Sequence, residues 1–392
     1  MRLNPMRVCF LCNEYPPGPH GGIGTFTQML ARSLVQAGHQ AWVIGKYSQS
    51  HPGSDYEEDQ GVRVWRLRGP GHRLGLVWAR YRLFRTVAHW SRNGKIDLID
   101  VPDSGGWIAG WPRLPVPIIA RLHCSATYLA SELGQPVSRM TFLLERASLR
   151  RADFWCSVSR FLAHKAQQLF GLRTDPAILY NPVEVPFETC ATTRSRNQVV
   201  FTGTLTANKG ILSLINAWPR VTEVYPEAAL HIFGKDRLTD KGQSMQAFLL
   251  SGMNGQIRKS VHFHGHVTRE KIFHALQMAR LAVFPSYAEA FAIAPMEAMA
   301  CGCPTIYSHR TSGPELIEHD HNGFLIDPDH PDEIADAIIR LLTDDDLAKR
   351  LGDAGRKRIQ DNFSIPAMTS KNEAFYRNCL SKFRRMHLPV RG

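Results

Sequence analysis

Short apolar runs alternate along the first half of the chain with segments whose apolar residues recur at helical spacing. The first run, residues 8–11, precedes a stretch rich in proline and glycine, and from Thr25 a helical pattern begins that Gly38 ends. Further strands are predicted at residues 41–44, 98–101, 118–122 and 154–158. Strands that alternate with helices in this way predict a parallel sheet covered by helices on both faces.

The pattern lapses between residues 183 and 198 and then begins again. Strands are predicted at residues 199–202, 230–233 and 281–284, and helices from Ile211, over 332–342 and over 367–386. The sequence thus predicts an α/β chain of two doubly wound, Rossmann-like domains facing a central cleft. The expected parts are an N-terminal domain at residues 1–185, a linker at 186–197, a second domain at 198–365, and a C-terminal helix and basic tail at 366–392 that cross back to the first domain.

Composition is that of a globular protein with a basic character. Of 392 residues, 44% are apolar and 21% are charged, which excludes a disordered chain and a small disulfide scaffold. The net charge of +12 favours anionic partners such as nucleotides or anionic lipid. The cysteines lack the paired spacing of a zinc site, and we expect Cys9, Cys12, Cys301 and Cys303 to be reduced and buried. Without a membrane-spanning run or a signal-peptide pattern, the chain is expected in the cytoplasm.

A glycine loop, Gly21-Gly22-Ile23-Gly24, lies between a predicted strand and a predicted helix. Backbone N–H groups and the helix dipole at such a place favour a phosphate. A nicotinamide-binding fingerprint needs a further glycine where Thr27 stands, and the chain lacks it, so a dehydrogenase is disfavoured. Two interpretations stay open, a phosphate loop and a tight turn that needs glycine for its geometry.

Two glutamates in a Glu-x7-Glu pattern are the most informative feature of the second half. Glu289 follows the strand predicted at residues 281–284, and Glu297 falls in a helix whose first turn contains Pro295. Both should lie at the edge of the sheet where open α/β folds bind ligands, and each can accept hydrogen bonds from sugar or ribose hydroxyls. The alternative is a helix-start glutamate and a solvated loop glutamate.

Taken in order, these motifs resemble those of the retaining glycosyltransferases of family 4, which have the GT-B fold. The resemblance covers nearly the whole chain. It rests on the glycine loop, Arg121-Leu122-His123, residues 203–210 and the Glu-x7-Glu pair. It implies a nucleotide diphosphate sugar as donor substrate, with no cofactor and no metal.

The resemblance also implies a role for individual residues. Glu289 would hold hydroxyls of the donor sugar, Glu297 would hold the ribose, and Lys209 would neutralise the diphosphate. His123 would contact the donor sugar near the reacting carbon. A fixed cation and N–H donors at a departing diphosphate stabilise the transition state.

The other donor contacts include the places where the chain departs from the family pattern. These contacts are Thr204, Ala290, Phe291, Ala292 and Lys235. Members of the family usually have arginine where Thr204 stands, and we expect Lys235 to supply the missing positive charge. Ala290 and Ala292 replace the usual glycines, which narrows the space beside the donor.

Two metal interpretations are disfavoured by their context. Asp327 and Asp329 form an Asp-x-Asp pattern, but it lies between a turn and a long helix, which is typical of a solvated turn. His262, His264 and His266 alternate along a predicted strand without an acidic or cysteine ligand, and we expect them on its surface.

Between residues 60 and 96 the chain has nine basic residues and no acidic one. They are Arg63, Arg66, Arg68, Arg73, Arg80, Arg82, Arg85, Arg92 and Lys95. Interleaved aromatic residues give two interpretations: docking on anionic lipid at the inner face of a membrane, or a solvated basic face above core aromatics. The usual nucleic-acid-binding modules are absent, and we expect no such partner.

The residues and the resemblance together predict a glycosyltransferase that moves a sugar from a nucleotide diphosphate sugar to an acceptor hydroxyl with retention of configuration. Sugar, lipid-linked and small-molecule acceptors are all open, and polysaccharide or glycolipid synthesis is the expected setting. Two alternatives remain: a sugar-phosphate synthase or phosphorylase on the same fold, and a non-catalytic nucleotide- or lipid-binding module.

Overall fold

The computed structural model describes residues 4–18, 20–69, 73–172, 174–186 and 194–387. The chain divides into two units. Unit 1 is Met1–Pro182 together with Ile365–Gly392, and unit 2 is Val183–Ser364. Within the described ranges, no helix combines the length and the apolar character needed to cross a bilayer.

Unit 1 is built on one sheet. Its strands are β1 Arg7–Leu11, β2 Gln40–Tyr47, β3 Tyr56–Asp59, β4 Val62–Arg68, β5 Leu98–Pro102, β6 Ile118–Leu122, β7 Phe154–Ser157 and β8 Ala177–Ile178. They lie in the order β3-β4-β2-β1-β5-β6-β7-β8, and only the β3–β4 pair is antiparallel. Every residue of β5 and β6 is buried, as in parallel sheets that helices cover on both faces.

Most helices of unit 1 follow a strand in the chain. They are α1 Gly22–Gln36, α2 Arg73–Arg92, α3 Ala126–Glu132, α4 Arg139–Arg151 and α5 Arg160–Phe170, with a single 3-10 turn at Ser104–Gly106. The apolar spacing of α1 buries Phe26, Leu30 and Leu34 in the core of the unit. Helix α1 begins at Gly22, three residues earlier than the apolar pattern predicts, so the glycine loop forms its first turn.

Unit 2 repeats the same architecture with a fully parallel sheet. Its strands are β9 Gln198–Thr202, β10 Ala229–Phe233, β11 Val261–Gly265, β12 Leu281–Phe284, β13 Thr305–Ser308 and β14 Phe324–Ile326. Its helices are α6 Ile211–Val224, α7 Met245–Gly252, α8 Gly255–Ser260, α9 Arg269–Met278, α10 Ile293–Ala300, α11 Gly313–Leu316, α12 Pro331–Thr343 and α13 Asp345–Asn362. The sheet order is β11-β10-β9-β12-β13-β14.

The last helix, α14 (Ile365–His387), is part of unit 1 and is tied to it by a buried polar network. Arg121 on β6 pairs with Asp100 on β5 at 2.7 Å, and both side chains are buried. From α14, Asn372 Oδ1 accepts a hydrogen bond from Arg121 at 2.8 Å, and the Tyr376 hydroxyl donates to Asp100 at 2.7 Å. A buried ion pair is stable only when such additional hydrogen bonds complete it.

Replacing Tyr376 with Phe is therefore expected to lower the free energy of unfolding by about 1–3 kcal/mol, because the buried Asp100 carboxylate loses a donor. Urea denaturation followed by circular dichroism measures the change. Tyr81→Phe is the matched control, because the Tyr81 side chain is exposed and its hydroxyl accepts a hydrogen bond from the exposed Arg85. Equal losses in the two variants would contradict the structural role of the network.

The sequence predictions for strands and buried cysteines are confirmed in most places. The predicted strands at residues 118–122 and 281–284 coincide with β6 and β12, and the four cysteines named above are buried free thiols. Strand β4 does not show in the apolar pattern because Arg63, Arg66 and Arg68 interrupt it, although Val62 and Val64 are buried. The edge strands β3 and β8 are too short or too polar to show in the pattern.

Candidate active site

The order of strands in unit 2 reverses direction between β9 and β12, which are neighbours in the sheet. Ligands of open α/β sheets bind beyond the carboxyl ends of the strands at such a point. The loop after β9 contains Thr204 and Lys209, and the loop after β12 contains Glu289. The fold thus brings together residues that are 80 positions apart in the chain.

Lys209 and Glu289 form an ion pair across this switch point. Both side chains are partly buried, and Lys209 lies at the end of a 3-10 turn that leads into α6. Gly210 makes the approach possible: its φ is +71°, and a Cβ there would lie 1.7 Å from the carbonyl oxygen of Pro285. The backbone of Tyr287 donates to the Asn208 carbonyl at 2.8 Å and fixes the two loops together.

Glu297 lies in α10 and pairs with Arg269 at the start of α9, at 3.0 Å. Arg269 also pairs with Glu184 at 3.0 Å, and its guanidinium packs on the ring of Phe273. Burial raises the pKa of Glu297, and the neighbouring Arg269 opposes that rise. The carboxylate is therefore held in a fixed orientation by a cation that the sequence motifs did not reveal.

The segment between the two glutamates leads into α10. Ala290 and Phe291 are buried, and Phe291 packs against Phe363 with ring centroids 5.6 Å apart. Ala292 is the N-cap residue of α10 and supplies no side-chain acceptor to it. The helix thus begins four residues after Glu289, with its N-terminus at the carboxyl edge of the sheet, where an anion is favoured.

A second cation, Lys235, lies at the same edge of the unit 2 sheet. It follows β10 after Gly234, and its carbonyl accepts a hydrogen bond from Leu205 N at 2.9 Å, in the loop that leads to Lys209. Within the described ranges, no carboxylate lies within 4.0 Å of the Lys235 ammonium. Thr204 lies in this loop as well, half-buried.

In unit 1 the glycine loop already holds an anionic group from the chain itself. The Glu14 carboxylate accepts hydrogen bonds from Gly24 N at 2.8 Å and from Gly21 N at 3.2 Å. Gly24 is required for this approach, because a Cβ there would lie 2.1 Å from the Glu14 carbonyl oxygen. Gly22 and Ile23 lie between these two donors in the first turn of α1. The phosphate-loop interpretation stays a prediction, and a phosphate at these donors would have to displace Glu14.

His123 lies directly after β6, at the carboxyl edge of the unit 1 sheet. Its ring contacts Phe26 of α1 edge to face, with centroids 4.6 Å apart, and its backbone N–H donates to Asp103 at 3.0 Å. Burial and the charge of Arg121 hold the pKa of His123 well below its usual value, so the imidazole is neutral. Burial raises the pKa of Asp103 to about 7.

Among the described residues, neither candidate metal pattern forms a metal site. Asp327 and Asp329 both pair with Arg310, at 2.7 and 2.6 Å. His262 and His264 are exposed on β11, whereas His266 lies beyond the end of that strand. In the part of the chain that the structure describes, no group of three or more His, Cys, Asp or Glu side chains is arranged to hold a metal ion.

The basic segment is not one exposed face, so the two interpretations of it concern only its exposed part, and both stay predictions. Arg66 is buried on β4 and pairs with Glu57, and Arg63 and Arg68 also pair with acidic side chains of unit 1. Arg80 is half-buried and donates to backbone carbonyls. Among the described side chains of α2, the exposed ones are Val77, Trp78, Tyr81, Arg82, Arg85, His89 and Arg92. The side chain of Arg73 lies outside the described residues.

Three residues of these sites were missed by the sequence analysis. Arg269 begins a helix and belongs to no motif, so its pairing with Glu297 emerges only from the packing of α9 on α10. Glu14 and Asp103 each follow a predicted strand closely. The rule that ligand sites form at the carboxyl ends of strands would have found both.

Two family models match the chain, one to each unit. The model described as Glycosyltransferase Family 4 matches residues 20–186, and the one described as Glycosyl transferases group 1 matches residues 191–358. The chain belongs to glycosyltransferase family 4. This confirms the resemblance inferred from the glycine loop and the Glu-x7-Glu pair.

Individual relatives of this family 4 glycosyltransferase share a quarter of its sequence over almost its full length. An uncharacterized glycosyltransferase of Methanocaldococcus jannaschii is 26% identical over 92% of this chain and 95% of its own length. A GDP-mannose-dependent alpha-(1-6)-phosphatidylinositol monomannoside mannosyltransferase of Mycobacterium tuberculosis is 25% identical over 95% of this chain and 98% of its own.

The likeness to solved structures shows the GT-B fold. Sucrose-phosphate synthase from Thermosynechococcus elongatus superposes with a TM-score of 0.78 at 20% identity, covering 96% of this chain and 100% of that one. The expected architecture, α/β with two Rossmann-like parallel-sheet domains, is confirmed. Membership of the family makes the chain a glycosyltransferase that uses a nucleotide sugar as substrate.

Proposed function

We propose that this family 4 glycosyltransferase binds the donor nucleotide sugar at the switch point of unit 2 and transfers the sugar with retention of anomeric configuration. The observation that carries the proposal is the Lys209–Glu289 pair between the loops that follow β9 and β12. A cation beside a carboxylate at this place matches a donor whose diphosphate is anionic and whose sugar offers hydroxyls.

The chemistry of such a donor follows from the charges that change during transfer. Negative charge grows on the diphosphate as it leaves, and Lys209, Lys235 and the N-terminus of α10 are placed to stabilise it. Positive charge grows on the sugar ring, which the Glu289 carboxylate stabilises. We propose that these groups stabilise both charges without a metal ion.

Retention is proposed to proceed by attack on the face from which the diphosphate leaves, with a phosphate oxygen accepting the acceptor's proton. His123 of unit 1 is neutral and buried, so its imidazole can donate a hydrogen bond but carries no positive charge. The covalent alternative would need a carboxylate free to attack the anomeric carbon. Glu289, paired with a lysine, is better suited to hold and stabilise the sugar than to attack it.

A donor panel tests the proposal. The full chain is incubated with UDP-, GDP-, ADP- and dTDP-sugars, and release of the nucleoside diphosphate is followed together with the anomeric configuration of the freed sugar by proton NMR. We expect one nucleotide class to be consumed, and the sugar to be released first in the donor's configuration. Binding of nucleotide without any turnover would favour the non-catalytic alternative, and an inverted product would overturn retention.

Glu297→Gln is expected to raise the apparent Kd for the donor by about tenfold or more with little change in turnover, because ribose hydroxyls keep the same contacts throughout the reaction. Steady-state kinetics with the active donor measures the split between KM and kcat. Glu223→Gln, an exposed glutamate of unit 2, is the matched control. A fall in kcat at unchanged KM would contradict a ribose role.

We further propose that the exposed face of α2 docks on an anionic membrane. Trp78, Tyr81, Arg82 and Arg85 lie at spacings that share one face of the helix, and Arg82 packs over the Trp78 ring at 4.8 Å. Aromatic rings and arginines together suit the headgroup region of a bilayer. The related mycobacterial enzyme acts, by its name, on a phosphatidylinositol mannoside, which makes a lipid acceptor reasonable here.

Vesicle sedimentation tests this docking. Binding to vesicles that contain phosphatidylserine should weaken steeply with salt, and Arg82→Ser with Arg85→Ser should release the protein without changing donor hydrolysis. Arg220→Ser, an exposed arginine of unit 2, is the control for lost charge. Equal binding to neutral and anionic vesicles would overturn the proposal.

A further inference from the structure

Unit 1 contains a pocket of about 660 Å³ at the carboxyl edge of its sheet. Asn13 follows β1, Lys46 and Tyr47 end β2, and Gly69 follows β4. The pocket thus lies beside the place where the strand order reverses between β1 and β5. Its volume is in the range of pockets that hold a small molecule.

The wall of the pocket is mostly apolar, and its shape is fixed by the backbone. Trp107 and Leu144 line it together with the ring of Tyr47, whose hydroxyl is occupied by the Cys12 carbonyl at 2.8 Å. The 3-10 turn at Ser104–Gly106 packs tightly on α4, because a Cβ on Gly106 would lie 2.6 Å from the backbone of Leu144.

Two cations, Lys46 and Arg80, line this pocket. Within the described ranges, no carboxylate lies within 4.0 Å of the Lys46 ammonium or the Arg80 guanidinium. Arg80 instead donates to the carbonyls of Gly105 and Gly106, and burial lowers its pKa. Acids close to this region have other partners: Glu145 accepts from the backbone of Gly105 at 3.3 Å, Asp55 pairs with Arg68, and Glu57 pairs with Arg66.

A positive charge beside apolar surface costs free energy unless a ligand of opposite charge pairs with it. A neutral sugar alone would bring no negative charge to either cation and would gain little from Trp107 and Leu144. An inorganic anion would satisfy the cations but leave the apolar wall uncovered. A molecule that carries both an anionic and an apolar group matches both parts of the pocket.

We propose that this pocket binds the acceptor, as a phosphate ester that carries an apolar group. The phosphate lies at Lys46, and the apolar group lies along Trp107 and Leu144. That the bound ester is the acceptor rests on the proposed function, whereas binding of the ester itself does not depend on sugar transfer. The ester comes either from a membrane lipid or from a soluble metabolite.

Isothermal titration calorimetry on the full chain tests the proposal with four probes: dodecyl phosphate below its micellar concentration, phenyl phosphate, inorganic phosphate and dodecyl maltoside. At least one ester should bind about tenfold or more tightly than both inorganic phosphate and the neutral maltoside. Tighter binding of the dodecyl ester identifies a lipid source, and tighter binding of the phenyl ester identifies a soluble one.

Variants then locate the phosphate. Lys46→Gln should remove the preference for the ester over the maltoside, and Lys46→Arg should keep it. Lys95→Gln, an exposed lysine of unit 1, and Trp78→Ser on the α2 face should bind like the wild type. Arg80 is left unchanged, because it fixes the turn that forms the wall.

Two results would overturn the inference: esters that bind no more tightly than inorganic phosphate or the maltoside, or a Lys46→Gln protein that keeps the wild-type preference. The first comparison uses only the wild type, so a misfolded variant cannot obscure it. Donor hydrolysis is assayed on the same preparations. Ester binding without donor hydrolysis would count against the proposed function alone, and donor hydrolysis without ester binding would count against the pocket alone.

Discussion

Lys209→Ala is expected to lower donor turnover by about 100-fold or more, because the lysine faces negative charge that grows as the diphosphate leaves. In the structure its ammonium is already held at the switch point of unit 2 by Glu289, so little reorganisation is needed when the donor binds. The loss should appear in kcat as well as in kcat/KM, since the charge is greatest in the transition state. Initial rates of nucleoside diphosphate release measure it.

Control variants test whether activity needs a positive charge at position 209 rather than any lysine of unit 2. Lys209→Arg keeps a cation and should recover part of the activity, whereas Lys259→Ala removes an exposed lysine of unit 2 and should leave the rate unchanged. Lys235→Ala should reduce turnover less than Lys209→Ala, because Lys235 lacks the fixing carboxylate. A wild-type rate in Lys209→Ala would contradict the donor site.

Glu289→Gln is expected to reduce turnover strongly while the nucleoside diphosphate still binds. Glutamine keeps the shape and one acceptor oxygen but loses the charge that stabilises the sugar ring as the bond breaks. It also releases Lys209, whose partner becomes neutral. Calorimetric titration with the nucleoside diphosphate, which lacks the sugar, should give an affinity close to that of the wild type.

The double variant Lys209→Ala with Glu289→Gln adds a stricter test. Because the two side chains are in direct contact, their effects on turnover should not add. Circular dichroism confirms that each variant is folded. Full turnover in folded Glu289→Gln would show that Glu289 is a solvated loop residue, which is the alternative interpretation of the sequence.

The sequence revealed the repeating part of this fold and the residues at the ends of its strands. Apolar runs at 118–122 and 281–284 predict β6 and β12 because fully buried parallel strands are largely apolar. The charged residue of β6, Arg121, is buried in its pair with Asp100 and does not hide the run. The same rule fails at β4, where Arg66 is buried by pairing with Glu57 rather than by apolar character. A linear pattern contains no information on such a partner.

The candidate site shows the same limit. Lys209 and Glu289 stand in recognisable motifs, so their meeting follows once the strand order places β9 next to β12. Arg269 has no motif, and its contact with Glu297 depends on how α9 packs on α10. Glu14 likewise reaches the glycine loop through the path of its own loop, which glycine at position 24 permits. Pairings between loops and helix ends are set by packing, and the sequence pattern does not encode packing.

A crystal structure of Glu289→Gln with the intact donor tests the central claim most directly, since slow turnover preserves the substrate. The account predicts the diphosphate beside Lys209 and the N-terminus of α10, the ribose at Glu297 and the sugar at position 289. A donor bound instead with its phosphates on the N–H groups of Gly21 and Gly24, with Glu14 displaced and the switch point of unit 2 empty, would contradict it.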